Sequence, residues 1–142
     1  MKKTTEQLIN EIKKTKNINK FLDKNSIEKT DLSLSEYLRS LLEKYKLEKS
    51  DIFRRALMTG SNYGYELFRD DTKKASRDKL IQLCFGFPLT IEETQNVLCY
   101  GKFRTLYPRD KRDAYIIFAL INKYNMTQLN DLLLANGLNI FE

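Results

Sequence analysis

The chain has 142 residues, about one domain's length. It is 42% apolar and 31% charged, has only five Gly and two Pro, and carries a net charge of +6. Turn formers are too sparse for many hairpins, so an all-α protein is expected. There is no histidine, which excludes His-based triads and His metal sites; no Gly-rich phosphate loop and no run near the ~18 apolar residues of a membrane span occurs either. No catalysis, cofactor or metal is expected.

From Thr4 to about Lys24, Leu8, Ile9, Ile12, Ile18, Phe21 and Leu22 recur at helical spacing, with Thr4 and Gln7 as a capping box. Residues 24–32 are polar and form a connector. Ser33 and Glu36 make a second capping box, followed by Leu34, Tyr37, Leu38, Leu41, Leu42 and Tyr45 on one face over three turns. A short helix is predicted at about 49–57, with Ile52, Phe53 and Ala56 inward. A turn containing Gly60 follows, and Thr59 or Ser61 caps a helix at roughly 62–70. Gly64 in that helix implies close backbone approach to a neighbour. Ser76 caps a helix at about 77–86, with Leu80, Leu83, Cys84 and Phe87 at core spacing. Thr90 with Glu93 starts another, stopped by Gly101 as its left-handed residue. Pro108 fits the first turn of the next. Within it, Ala114 to Ile121 is apolar nearly all round and is expected to be central. A last helix runs from a Thr127 cap to Asn136 and is closed by Gly137, after which Leu138, Ile140 and Phe141 fold back or meet a partner. Cys84 and Cys99 lie in apolar patterns and read as free thiols.

The order of these elements resembles the phage-repressor-like helix-turn-helix domain of the XRE type. LSEYLRSLLEKYKLEKSDIFRRALMTGSNYGYELF and SRDKLIQLCFGFPLTIEETQNVL carry the resemblance. A closer resemblance is to small bacterial helix-turn-helix regulators of unassigned role. It adds a leading helix, EQLINEIKKTKNINKFLDKN, and a closing segment, LYPRDKRDAYIIFAL. The resemblance implies three parts: an N-terminal amphipathic helix and connector (1–31), a lambda-repressor-like five-helix domain (32–101), and a C-terminal helical extension packed on it (102–142). Two places depart from the pattern: Asp70 or Asp71 stands where a Gly is usual, and Ala75 where a Pro is usual.

In such a fold the second helix crosses the DNA backbone and the third enters the major groove. The resemblance therefore puts Ser61, Asn62, Tyr63, Tyr65, Glu66 and Arg69 on the reading face. Asn pairs with adenine, Glu accepts from cytosine, and Tyr reaches phosphates or thymine methyls. Lys49, Arg54 and Arg55 are expected to hold phosphates from the second helix, and Lys73, Lys74 and Arg77 from beyond the third. The bland alternative is a merely solvated polar face. Residues 1–31 carry eight basic and five acidic side chains, residues 88–142 six of each, so the basic excess lies ahead of the extension. In YPRDKRD, residues 107–113, Arg109 and Asp113 are four apart and can pair along the surface, or Asp110 or Asp113 can bridge to an Arg of the domain. The expected protein is a cytoplasmic regulator bound to double-stranded DNA, working as a homodimer. The alternative is a protein-interaction module on the same fold, an antitoxin or signalling adaptor with a protein partner, for which the adjacent Asp70 and Asp71 argue.

Overall fold

A computed structural model describes residues 33–59, 63–69 and 75–142. The expected leading helix and connector, Gly60 to Asn62, and residues 70–74 lie outside the described residues. Among those described, all regular structure is helical: α1 (Leu34–Tyr45), α2 (Lys49–Arg55), α3 (Tyr63–Arg69), α4 (Arg77–Cys84), α5 (Ile91–Tyr100), α6 (Lys111–Ile121) and α7 (Met126–Ala135). None is long and apolar enough to cross a membrane.

The starts of these helices follow from local chemistry. Ser33 and Glu36 close a reciprocal capping box at α1, and Thr90 and Glu93 do so at α5. Ser76 accepts from the Lys79 amide at α4. Each such cap satisfies amides that the first helical turn leaves without a carbonyl. Three expectations need correction. The last helix is capped by Asn125, with Gln128 completing the box, and not by Thr127, which falls inside the first turn. Pro108 lies in the turn before α6; the cap there is Asp110, whose carboxylate accepts from the Asp113 amide. At the end of α5, Gly101 keeps a right-handed backbone, and Lys102 takes the left-handed one, with φ of 66°. What Gly101 supplies is room: a Cβ there would sit 2.4 Å from Leu80 Cδ1. Gly137 does end α7 with φ of 69°.

Helix α1 packs against α3 and α5, α4 lies against α5, and α6 pairs with α7 and touches α5. One continuous core results, running from Leu38 and Leu41 through Ile52, Phe68, Leu80 and Leu98 to Ile116, Leu129 and Leu133. Buried amides pin the connections. Gln95 donates to the Leu106 carbonyl at 3.0 Å and accepts from the Leu106 amide at 2.7 Å, which fastens the α5–α6 connection to α5. Gln82 donates to the carbonyl of Ala56 at 2.8 Å, closing the end of α2 onto α4. Phe141 folds back and is buried; its backbone is held at both polar atoms by the Asn130 side chain.

Helix α6 is not central, as its apolar composition suggested. Ile116, Ala119 and Leu120 are buried, but Phe118 is 47% and Ile121 63% exposed. An apolar circumference fits a buried helix, yet α6 packs mainly on α5 and α7, and the side carrying Phe118 and Ile121 stays exposed.

Candidate nucleic-acid interface

The site begins with the way α2 and α3 meet. Gly64 lies so close to α2 that a Cβ would stand 2.4 Å from Phe53 Cε1. The Phe53 ring meets Tyr65 edge-on at 4.6 Å and Phe68 at 5.9 Å. This is the close approach that Gly64 implied in the sequence, and it seats α3 directly on the Phe53 ring of α2. Leu67 and Phe68 are buried with Gly64. Arg39 of α1 donates to the Phe68 carbonyl at 2.6 Å. A cation at that end suits the unsatisfied carbonyls of the helix C-terminus.

At the edge of this contact, Tyr65 is 41% exposed, and Arg69 is exposed as well. They are four residues apart, so they share one stripe of the helix. Glu66 is half-buried. Lys49, at the start of α2, holds its ammonium 5.7 Å from the centre of the Phe68 ring, which keeps it beside α3. Tyr63 opens α3; Ser61, Asn62, Lys73 and Lys74 lie outside the described residues, as do Asp70 and Asp71.

The basic residues assigned to phosphate contacts divide into three groups. Lys49 and Arg69 stand beside or on α3. Arg54 and Arg55 are exposed at the far end of α2, and Arg54 pairs with Asp51 one turn back at 2.9 Å. Both arginines line a cleft of about 450 Å³ whose other walls are Leu57, Leu120 and residues 85–89 and 123–127. Arg77 is withdrawn, and this corrects its assignment to a phosphate. Its guanidinium is 15% exposed and reaches both oxygens of the buried Asp113, at 3.2 and 2.9 Å, and the carbonyls of Arg104 and Thr105. Its donors are directed into the protein, where the buried carboxylate of Asp113 at the start of α6 needs hydrogen-bond donors to bear its charge.

Asp113 also accepts from Arg104 at 2.9 Å and from the Tyr107 amide at 3.0 Å. Burial opposes its ionisation, but the hydrogen bonds from Arg77, Tyr107 and Arg104 prevail and hold its carboxyl below the usual range. Of the two pairings open to it in the sequence, the bridge to an Arg of the domain forms and the Arg109 pair does not. A second network joins α1 to α5. Glu93 accepts from Lys44 at 2.5 Å and from the Tyr45 hydroxyl. Burial again opposes the charge, and Lys44, the Thr90 amide and Tyr45 hold Glu93 below its ordinary value. Cys84 is a buried free thiol whose ionisation burial pushes far up, so it is no nucleophile. Among the described residues no cluster of acids and cysteines could hold a metal.

Sequence reasoning missed the cleft and the two glutamine clamps. Gln82 and Gln95 do carry a signal, since each interrupts an apolar helical stripe. The cleft does not: its walls come from three connections far apart in the chain.

Comparison of the chain with protein-family models, with curated proteins and with solved structures finds no match.

Proposed function

We propose that the protein is a sequence-specific DNA-binding regulator of the phage-repressor-like class, in which α1 to α5 form the helix-turn-helix domain and α3 reads the major groove. The observation that carries the proposal is the α2–α3 junction. A glycine-mediated contact with Phe53 fixes a short helix whose outer stripe offers Tyr65 and Arg69. Groove reading needs a short helix held rigidly with polar and aromatic side chains outward. Lys49 beside it supplies a phosphate contact, and such contacts set register and orientation. Ser61 and Asn62, just ahead of α3, belong to the same reading face on this proposal, and the working form is a homodimer in the cytoplasm.

The test is fluorescence anisotropy with duplex DNA from the upstream region of the protein's own gene, over a range of salt. The expected result is saturable binding to that duplex, tighter than to a scrambled one, with affinity falling steeply as salt rises. Arg69→Ala should weaken binding and lower the salt slope by about one ion. Equal affinity for the scrambled duplex would reject sequence-specific reading.

A second reading has its own observation. Phe118 and Ile121 lie three apart on α6, both largely exposed, and Leu134 of α7 is 68% exposed. Exposed apolar groups of this kind suit a protein partner, as an antitoxin or signalling adaptor would require. Pull-down from cells treated with nuclease separates the two: a stoichiometric partner lost in Ile121→Asp, without any DNA affinity, favours the adaptor.

A further inference from the structure

The cleft at the far end of α2 belongs to no part of the DNA reading except through the two arginines on its edge. Its volume of about 450 Å³ falls within the range that encloses a small organic ligand. Three cations line it, Arg54 and Arg55 from α2 and Lys123 from the α6–α7 turn, and no lining residue is a carboxylate. Only Arg54 has an acid in contact, Asp51 behind it; Arg55 and Lys123 have no ion-pair partner among the described residues. Three like charges from two distant segments converging on one cavity repel one another, and an anion in the cavity relieves that.

The rest of the lining is mostly apolar and partly open, with Asn125 and Thr127 as its polar side chains. Leu57 is 50% exposed, and Pro88 is exposed opposite the α6–α7 turn. Tyr124 is fixed by an edge-on contact of its ring with Phe118 at 5.6 Å. Leu57 and Lys123 both sit in the left-handed backbone region at φ of 59°. That conformation ends their helices, as it does at Lys46 and Lys102, so it explains how these two side chains come to the cleft and is no sign of a ligand.

We infer that this cleft is a binding site for a phosphorylated small molecule of nucleotide size. Its phosphates are held by Arg54, Arg55 and Lys123, and its flat apolar body lies against Leu57, Pro88 and Tyr124. Charge alone would recruit any polyanion; the apolar wall is what requires a body attached to the phosphates.

The test is a titration of the full chain with N-methylanthraniloyl-ATP as a fluorescent probe, followed by displacement with ATP, adenosine or pyrophosphate. Expected are saturable binding, displacement by ATP, and displacement by adenosine and by pyrophosphate that is each about tenfold weaker. Lys123→Gln and Arg55→Gln should each weaken probe binding by about tenfold while the thermal melt stays in place, since both side chains are exposed. The inference is overturned if binding does not saturate by about 1 mM, or if Lys123→Gln binds as the parent does. It is also overturned if pyrophosphate displaces as well as ATP, because the site then recognises charge only. The titration contains no DNA, so its failure is distinguishable from failure of the DNA reading.

Discussion

Arg77 and Arg55 are both arginines of the central helices, and the molecule uses them in opposite ways. Arg77 opens α4 and turns inward. Its guanidinium donates to Asp113 and to two backbone carbonyls, and it joins α4 to α6 and to the chain between α5 and α6. Arg55 closes α2 and stands in the open at a cleft edge. A buried cation must have its donors satisfied or destabilise the fold, whereas an exposed one is solvated and free to meet a ligand. Two arginines that look alike in the sequence thus mark a structural region and the region proposed to bind a ligand.

The largest expected effect lies in the structural region. Asp113→Asn leaves Arg77 and Arg104 facing a neutral amide, and loss of one partner of a buried pair costs about 3–5 kcal/mol. Urea unfolding should show it as a lower midpoint with an unchanged slope. Asp113 also sets a pH dependence. Its folded carboxyl titrates below the unfolded one, so its contribution is complete above the ordinary carboxylate range, near pH 4. The contribution is lost as pH falls through the lowered folded value. The parent should therefore lose stability on acidification below about pH 4, and Asp113→Asn should lose less over the same window. Glu93, also held low, retains its share in that variant. An acid limb unchanged by the substitution would break the contrast between the two regions.

Gly86→Ala comes next. A Cβ at that position would lie 2.3 Å from the Ile52 carbonyl oxygen. A backbone atom cannot rotate away, so overpacking of about 1–3 kcal/mol is expected, read from the same unfolding curves. Thr90→Ala follows, removing the cap of α5 for about 1 kcal/mol. The smallest effect is at the open arginines. Arg55→Gln should leave stability within about 0.5 kcal/mol, so that any change in binding by this variant is a change in recognition. A large loss of stability there would place Arg55 with Arg77 and erase the distinction.

Much of the local structure was legible. Ser33, Ser76 and Thr90 start their helices as read, because a cap depends on residues within one turn. Gly64 announced its tight contact for a similar reason, as its missing side chain is meaningful only beside a close neighbour. What depended on distant parts of the chain was not legible. The residue ending α5 in the left-handed region is Lys102, while Gly101 serves to leave room for Leu80 of α4. The apolar run of α6 could not reveal that Phe118 and Ile121 would stay exposed. Arg77 could not be separated from Arg54 and Arg55 by spacing, since its partner Asp113 is 36 residues away. Of the expected DNA-facing set, Lys49, Tyr65 and Arg69 come together around α3, while Arg54 and Arg55 gather at the cleft.

The central claim is that the outer stripe of α3 meets DNA. The measurement that bears on it most directly is the salt dependence of duplex binding for the parent beside Tyr65→Ala and Arg69→Ala. The account predicts a steep fall of affinity with salt for the parent. It predicts a slope smaller by about one ion for Arg69→Ala, and weaker binding with an unchanged slope for Tyr65→Ala. Identical affinities and slopes for all three proteins would contradict it.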